Sequence, residues 1–376
     1  MNNMMEPKIR FKGFEGEWKT ERLSEISSSI ASGKNIDYKG PYPLYGSTGI
    51  IGTTDKPYHE GPMLLVARVG ANAGFLQLVN EKCGVSDNTL IVKPKDPVTD
   101  NYLFQYFKFF NLNRFIYGSG QPLITGGMLK KMPVRYGLKE ERETLIDYFT
   151  SLDSQISAST SRLASLKQMK AASLQAMFPQ EGETVPKIRF KGFEGEWKKV
   201  KLGKLFSERI ENNVDGEMLS VTMNNGIIKA AENGRFDNSN SDKSKYKVVK
   251  VGDIAYNSMR MWQGASGCSQ YEGIVSPAYT VVVPNANIHS LFFAYLFKTI
   301  PMINLFRLHS QGLTKDTWNL KYPAFSIIEV SYPESKAEQQ AIANYFTSLD
   351  RQISLQSQRL EKLKQIKSAC LDKMFV

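Results

Sequence analysis

The sequence predicts an α+β fold class: two mixed α/β domains, related to each other by a pseudo-two-fold, joined by two long antiparallel coiled-coil helices. Three observations predict it. The order of sequence features is written twice along the chain. Each copy holds short strand-like runs broken by glycine turns. Each copy closes on a heptad-patterned stretch.

The repeat is plainest at its start. "PKIRFKGFEGEWK" runs from Pro7 to Lys19 and returns unchanged from Pro186 to Lys198, an offset of 179. "VSDNTLIVKP" (Val85–Pro94) answers "VSPAYTVVVP" (Val275–Pro284) at an offset of 190, and "YFTSLDSQIS" (Tyr148–Ser157) answers "YFTSLDRQIS" (Tyr345–Ser354) at 197. Fixed order with rising offsets describes a tandem duplication with insertions in the second copy. Between residues 20 and 84, and between 199 and 273, the copies barely agree. Nearly identical frames hold different middles.

Taken in order, each copy begins with the opening phrase and a short amphipathic piece, "ERLSEISSSIASGK" or "KKVKLGKLFSERI". "PMLLVARV", "DIAYNSMR", "TLIVKP" and "YTVVVP" read as strands, the last two ended by proline. "YLFQYFKFF" and "SLFFAYLFKTI" read as short buried helices whose aromatics belong to the core. Then come the long helices. Leu145, Phe149, Leu152, Ile156, Ser159, Leu163 and Leu166 follow the alternating four-three spacing of a coiled-coil seam, and Ile342, Phe346, Leu349, Ile353, Gln356, Leu360 and Leu363 repeat it. Acidic residues gather early in each helix and basic ones late, which suits the helix dipoles and antiparallel packing. Ser159 and Gln356 interrupt the two seams at matching places and are expected to meet across the seam, fixing its register. The divisions expected are residues 1–139 and 179–336 as the two mixed domains, the latter with a linker, and 140–178 and 337–376 as the helices.

Composition narrows the function. The formal net charge of +11 favours a polyanionic partner, although a basic surface kept for solubility has the same count. Three scattered cysteines suit a reducing cytoplasm and no disulfide framework, and no apolar run is long enough to span a membrane. No phosphate loop, dinucleotide fingerprint, metal-ligand spacing or nucleophile elbow is present, so no catalytic, cofactor-binding or metal residues are expected on this chain. Two domains set apart by helices of about 30 residues, ~45 Å long, could each reach a major groove about one DNA turn, ~35 Å, apart.

The repeated opening phrase, "HSQGLTKDTWNLKYP" (His309–Pro323) and "PESKAEQQAIANYFTSLDRQISLQSQRLEKLKQIK" (Pro333–Lys367) together resemble the specificity subunit of a type I restriction–modification enzyme. The resemblance covers both copies. It implies two target recognition domains that read a bipartite double-stranded DNA sequence. It also implies two partner modification subunits, which carry S-adenosylmethionine and methylate adenine. Restriction subunits, which use ATP and Mg, complete the implied assembly. The specificity chain itself would be non-catalytic. A coiled-coil protein adaptor and an enzyme with an unrecognised site are the alternative readings.

Base reading needs Arg, Lys, Asn and Gln side chains on loops. In the first copy Ser47, Thr48, Arg68, Asn72 and Gln121 are the DNA-binding candidates; in the second they are Asn224, Asn225, Arg260, Gln263, Gln311 and Lys315. Each of these positions equally suits an ordinary loop residue. Gln121 and Gln311 occupy the same place in both copies and suit positioning better than reading.

Overall fold

Every residue of Met63–Ala67 (MLLVA) is buried, as a strand covered on both faces requires. It is central in a four-stranded antiparallel sheet ordered Ser27–Ser32, Thr89–Pro94, Met63–Ala67, Leu76–Val79. The computed structural model, which describes residues 6–34, 39–112, 122–223, 225–233 and 242–376, builds the same sheet again. There the order is Phe206–Glu208, Tyr279–Pro284, Ile254–Asn257, Ser266–Cys268. The four strand-like runs of the sequence all fall in these two sheets.

Around the shared sheets the copies differ. The first adds a four-stranded sheet containing the hairpin of Tyr42–Gly46 and Gly49–Thr54. The second carries two separate two-stranded ladders, Leu219–Thr222 with Gly226–Lys229 and Lys247–Val249 with Gly273–Val275. Most of these additions lie in the stretches where the sequences disagree.

Two local readings need correction. The piece after the opening phrase is not one amphipathic segment. It divides into a strand (Lys19–Arg22), one helical turn (Leu23–Ile26) and a second strand (Ser27–Ser32). Leu23 and Ile26 enter the core, while the serine-rich run finds its backbone partners on Thr89–Pro94. "SLFFAYLFKTI" does not continue as one helix. It stops at Leu296, and Ile300–His309 starts afresh with Pro301 in its first turn, a place where the missing proline N–H costs nothing.

The chain forms two compact units, residues 1–161 with 358–376, and 162–357. Each long helix, Lys139–Ala176 and Lys336–Met374, gives its first part to one unit and its last part to the other. All fourteen seam positions are buried or half-buried. In the first unit the helix segments run antiparallel, with Tyr148 Oη 3.3 Å from Cys370 Sγ and Lys367 bonded to Asp153. In the second unit Tyr345 Oη lies 2.9 Å from Ser173 Oγ, and Lys170 Nζ donates to Asp350 at 2.5 Å. Extending these registers puts Ser159 level with Leu360 and Gln356 level with Leu163, each inside its own unit. The expected facing of Ser159 on Gln356 concerns residues of different units.

Each core is anchored the same way. In the first unit Phe375 packs edge-on to Trp18, at 6.3 Å between centroids, and against Phe149 at 5.6 Å. In the second Phe178 packs edge-on to Trp197 at 6.1 Å and against Phe346 at 5.8 Å.

Candidate nucleic-acid interface

The frame comes first, because it aims the loops. The opening phrase closes on the first turn of a long helix through a buried ion pair. Arg10 donates Nε to Glu141 Oε1 at 2.6 Å and Nη2 to Oε2 at 2.8 Å, while its Nη1 reaches Gly16 O. Trp18 Nε1 also donates to Glu141, at 3.1 Å. Arg189, Glu338, Gly195 and Trp197 reproduce every one of these bonds. The paired carboxylate raises the pKa of each arginine. Three donors on a carboxylate with a side-chain exposure of 2% leave it neither unpaired nor underbonded. The thirteen repeated residues are thus a clamp between a mixed domain and its helix. The phrase also meets the far end of a helix: Ile9 N donates to Lys373 O, and Ile188 N to Ala176 O.

In the second unit three loops gather at one edge of the sheet. The turn after Leu219–Thr222 is held by Thr222 Oγ1, which accepts from Asn225 N and donates to Gly226 O. Gly226 has φ +63°, and a Cβ on Gly267 would meet Gly226 Cα at 2.8 Å. Two glycines therefore let the hairpin lie directly on Ser266–Cys268. The second loop passes through a short 3-10 turn, Met261–Gln263. There Arg260 Nη1 donates to Gln263 Oε1 at 3.2 Å. In the third, Gln311 and Asn319 exchange backbone hydrogen bonds, and Leu320 N donates to Ser258 O. Trp262 on the second loop packs edge-on to Trp318 on the third, at 5.3 Å.

The structure thus brings Asn225, Arg260, Gln263, Gln311 and Lys315 onto neighbouring loops, all exposed. Asn224 lies outside the described residues. Trp262 is half-buried against Trp318 and donates Nε1 to Met259 O.

The first unit arranges its loops differently. Ser47 and Thr48 form the tip of the Tyr42–Thr54 hairpin, which Gln77 braces by donating Nε2 to Gly46 O at 2.8 Å. Tyr45 in the same hairpin donates to Glu81 at 2.6 Å, and burial with this bond lifts its pKa to about 12. Asn72 is exposed in the 3-10 turn Gly70–Asn72. That turn is stitched to the residues after Gln121, with Gly70 N donating to Pro122 O and Ile124 N to Arg68 O. Arg68 is half-buried, and its Nη1 donates to Ser32 Oγ and the Asp87 carbonyl. Its guanidinium braces loops of its own unit. Gln121 lies outside the described residues.

Sequence reading missed the clamp residues Arg10, Glu141, Arg189 and Glu338. The signal was present, since arginine, tryptophan and glutamate recur in both copies, but their pairing spans 131 and 149 positions and has no local pattern. It also missed Lys298, whose Nζ bridges two of the second unit's loops.

A family model described as the type I restriction modification DNA specificity domain matches residues 15–168 and again 194–365. The chain is 26% identical over 159 residues to the type I restriction enzyme EcoprrI specificity subunit of Escherichia coli, covering 39% of this chain and 40% of that one. It is 24% identical over 155 residues to a putative type I restriction enzyme specificity subunit of Haemophilus influenzae, covering 38% and 40%. These alignments span about two-fifths of the relatives' length. The fold is similar to the crystal structure of a type I restriction–modification S subunit from M. genitalium, with a TM-score of 0.64, 15% identity and 99% of each chain covered. With two family matches spanning most of its length and one frame built twice, the chain belongs to the type I restriction–modification DNA specificity family.

Proposed function

We propose that this chain is the DNA sequence-specificity subunit of a type I restriction–modification complex. Each unit reads one half of a bipartite double-stranded target, and the long helices set the gap between the halves. The chain positions two adenine-methylating modification subunits, which bring S-adenosylmethionine, and restriction subunits, which bring ATP and Mg. It works in the cytoplasm and performs no chemistry of its own.

One observation carries this reading. The same sheet, clamp and helix register recur in both units, while the loop-bearing additions differ. A duplicated adaptor would have no use for a constant frame with unlike edges; a reader of two different words needs just that. The net charge of +11 supports a phosphate backbone as partner.

The test is methylated-adenine mapping in cells with and without the chain. A bipartite motif methylated only when the chain is present is the expected result. Unchanged methylation, together with salt-independent or absent duplex binding by the purified chain, would leave the adaptor reading in its place.

A further inference from the structure

We propose that Lys298 is a positioning residue for the second reader, its ammonium tying two recognition loops into one rigid edge. This rests on the reading of the second unit as a DNA reader.

Lys298 stands between the helices Ser290–Leu296 and Ile300–His309. Its Nζ donates to Met223 O at 3.0 Å, in the turn that carries Asn225, and to Gly264 O, at the end of the turn that carries Arg260 and Gln263. Among the described residues no carboxylate lies within salt-bridge reach of it. Its binding groups are therefore the two loop carbonyls, which lie 75 and 34 positions away in the chain. A half-buried ammonium without a carboxylate is expensive unless its donors are satisfied, so lysine and loops hold each other in place. Gly264 is suited to the contact. It sits at φ +83°, and a Cβ there would lie 3.3 Å from Ile303 Cδ1 and 3.7 Å from Lys298 Cδ.

The same repeat position in the first unit is Lys108. It turns to the long helix, with Nζ 3.5 Å from Asp153 Oδ2 and over the Phe104 ring at 3.9 Å. One conserved place in the repeat thus braces the frame in one unit and the reading loops in the other. Base-edge hydrogen bonds discriminate only when their donors are held in place, and Lys298 fixes two donor-bearing loops relative to each other.

The full chain is used to select bound duplexes from a randomised pool, as wild type, Lys298→Met, Lys108→Met and Gly264→Ala. Lys298→Met keeps the aliphatic stem and removes the tie. It is expected to lose roughly tenfold or more of the base preference at one half-site, with the other half-site and the salt dependence of binding unchanged. Gly264→Ala is expected to weaken the same half-site by displacing an acceptor. Lys108→Met is expected to leave both preferences intact. Amide exchange provides a readout independent of DNA: residues 222–226 and 261–265 should exchange faster together in Lys298→Met. Unchanged exchange in the two loops, or equal loss at both half-sites, would overturn the tie. Faster exchange with no sequence preference in the wild type would instead overturn the DNA-reading role.

Discussion

Arg10 and Glu141, 131 positions apart, form a two-bonded ion pair at 2.6 and 2.8 Å that joins the opening phrase to the first turn of a long helix. Removing one partner strands the other. Arg10→Met should destabilise the first unit by about 2–4 kcal/mol, and Arg189→Met the second by a similar amount. Urea unfolding of single and double variants checks this. In a double-mutant cycle, Arg10→Met combined with Glu141→Met should cost less than the sum of the two.

The helix pairs Asp350–Lys170 and Asp153–Lys367 are partly exposed, with side-chain exposures of 14–41%. Reversing one charge, as in Asp350→Lys, should lower stability by about 1 kcal/mol. Adding Lys170→Asp should recover most of that loss. Thermal melting of the three variants at low salt reads the effect, and added salt should shrink it.

Asp100 is 3% exposed, and its Oδ1 accepts no hydrogen bond among the described residues. Burial, and then nearby Asp96, raise its pKa to about 6. The folded state therefore holds this proton where the unfolded chain has released it, and stability falls as pH rises from about 4 to about 6. Asp100→Asn should remove that fall, stabilising the protein by on the order of 1–2 kcal/mol at pH 7 and by little at pH 4. Melting curves across this range test the sign.

Exchanging residues 20–134 for the matching stretch of a relative should change one half of the methylated motif and leave the other half as it was. Inserting seven residues into each long helix should lengthen the gap between the halves. Methylome sequencing reads both outcomes. An altered second half after the exchange would count against independent readers.

Much of this architecture was legible in the chain. Strand runs such as Met63–Ala67 and Thr89–Pro94 announce themselves through apolar, β-branched composition, and the heptads through their period, because local spacing decides which residues share a face. The candidate loops were legible only as regions. Arg68 and Asn72 share a glycine-rich stretch, yet one turns inward onto Ser32 and the other lies exposed. That choice depends on neighbours brought together by folding.

By itself the sequence determined the duplication, the fold class and the long helices, since repeats and periodicity are properties of order along a line. Only the tertiary structure decided what the repeated phrase does and how the helices register. Glu141 finds Arg10, Asp153 finds Lys367, and Lys298 finds two loop carbonyls across 34 to 214 positions. Such pairings are fixed by the shape of a packed interior and the need to satisfy every buried charge, and neither is written in any local stretch of residues.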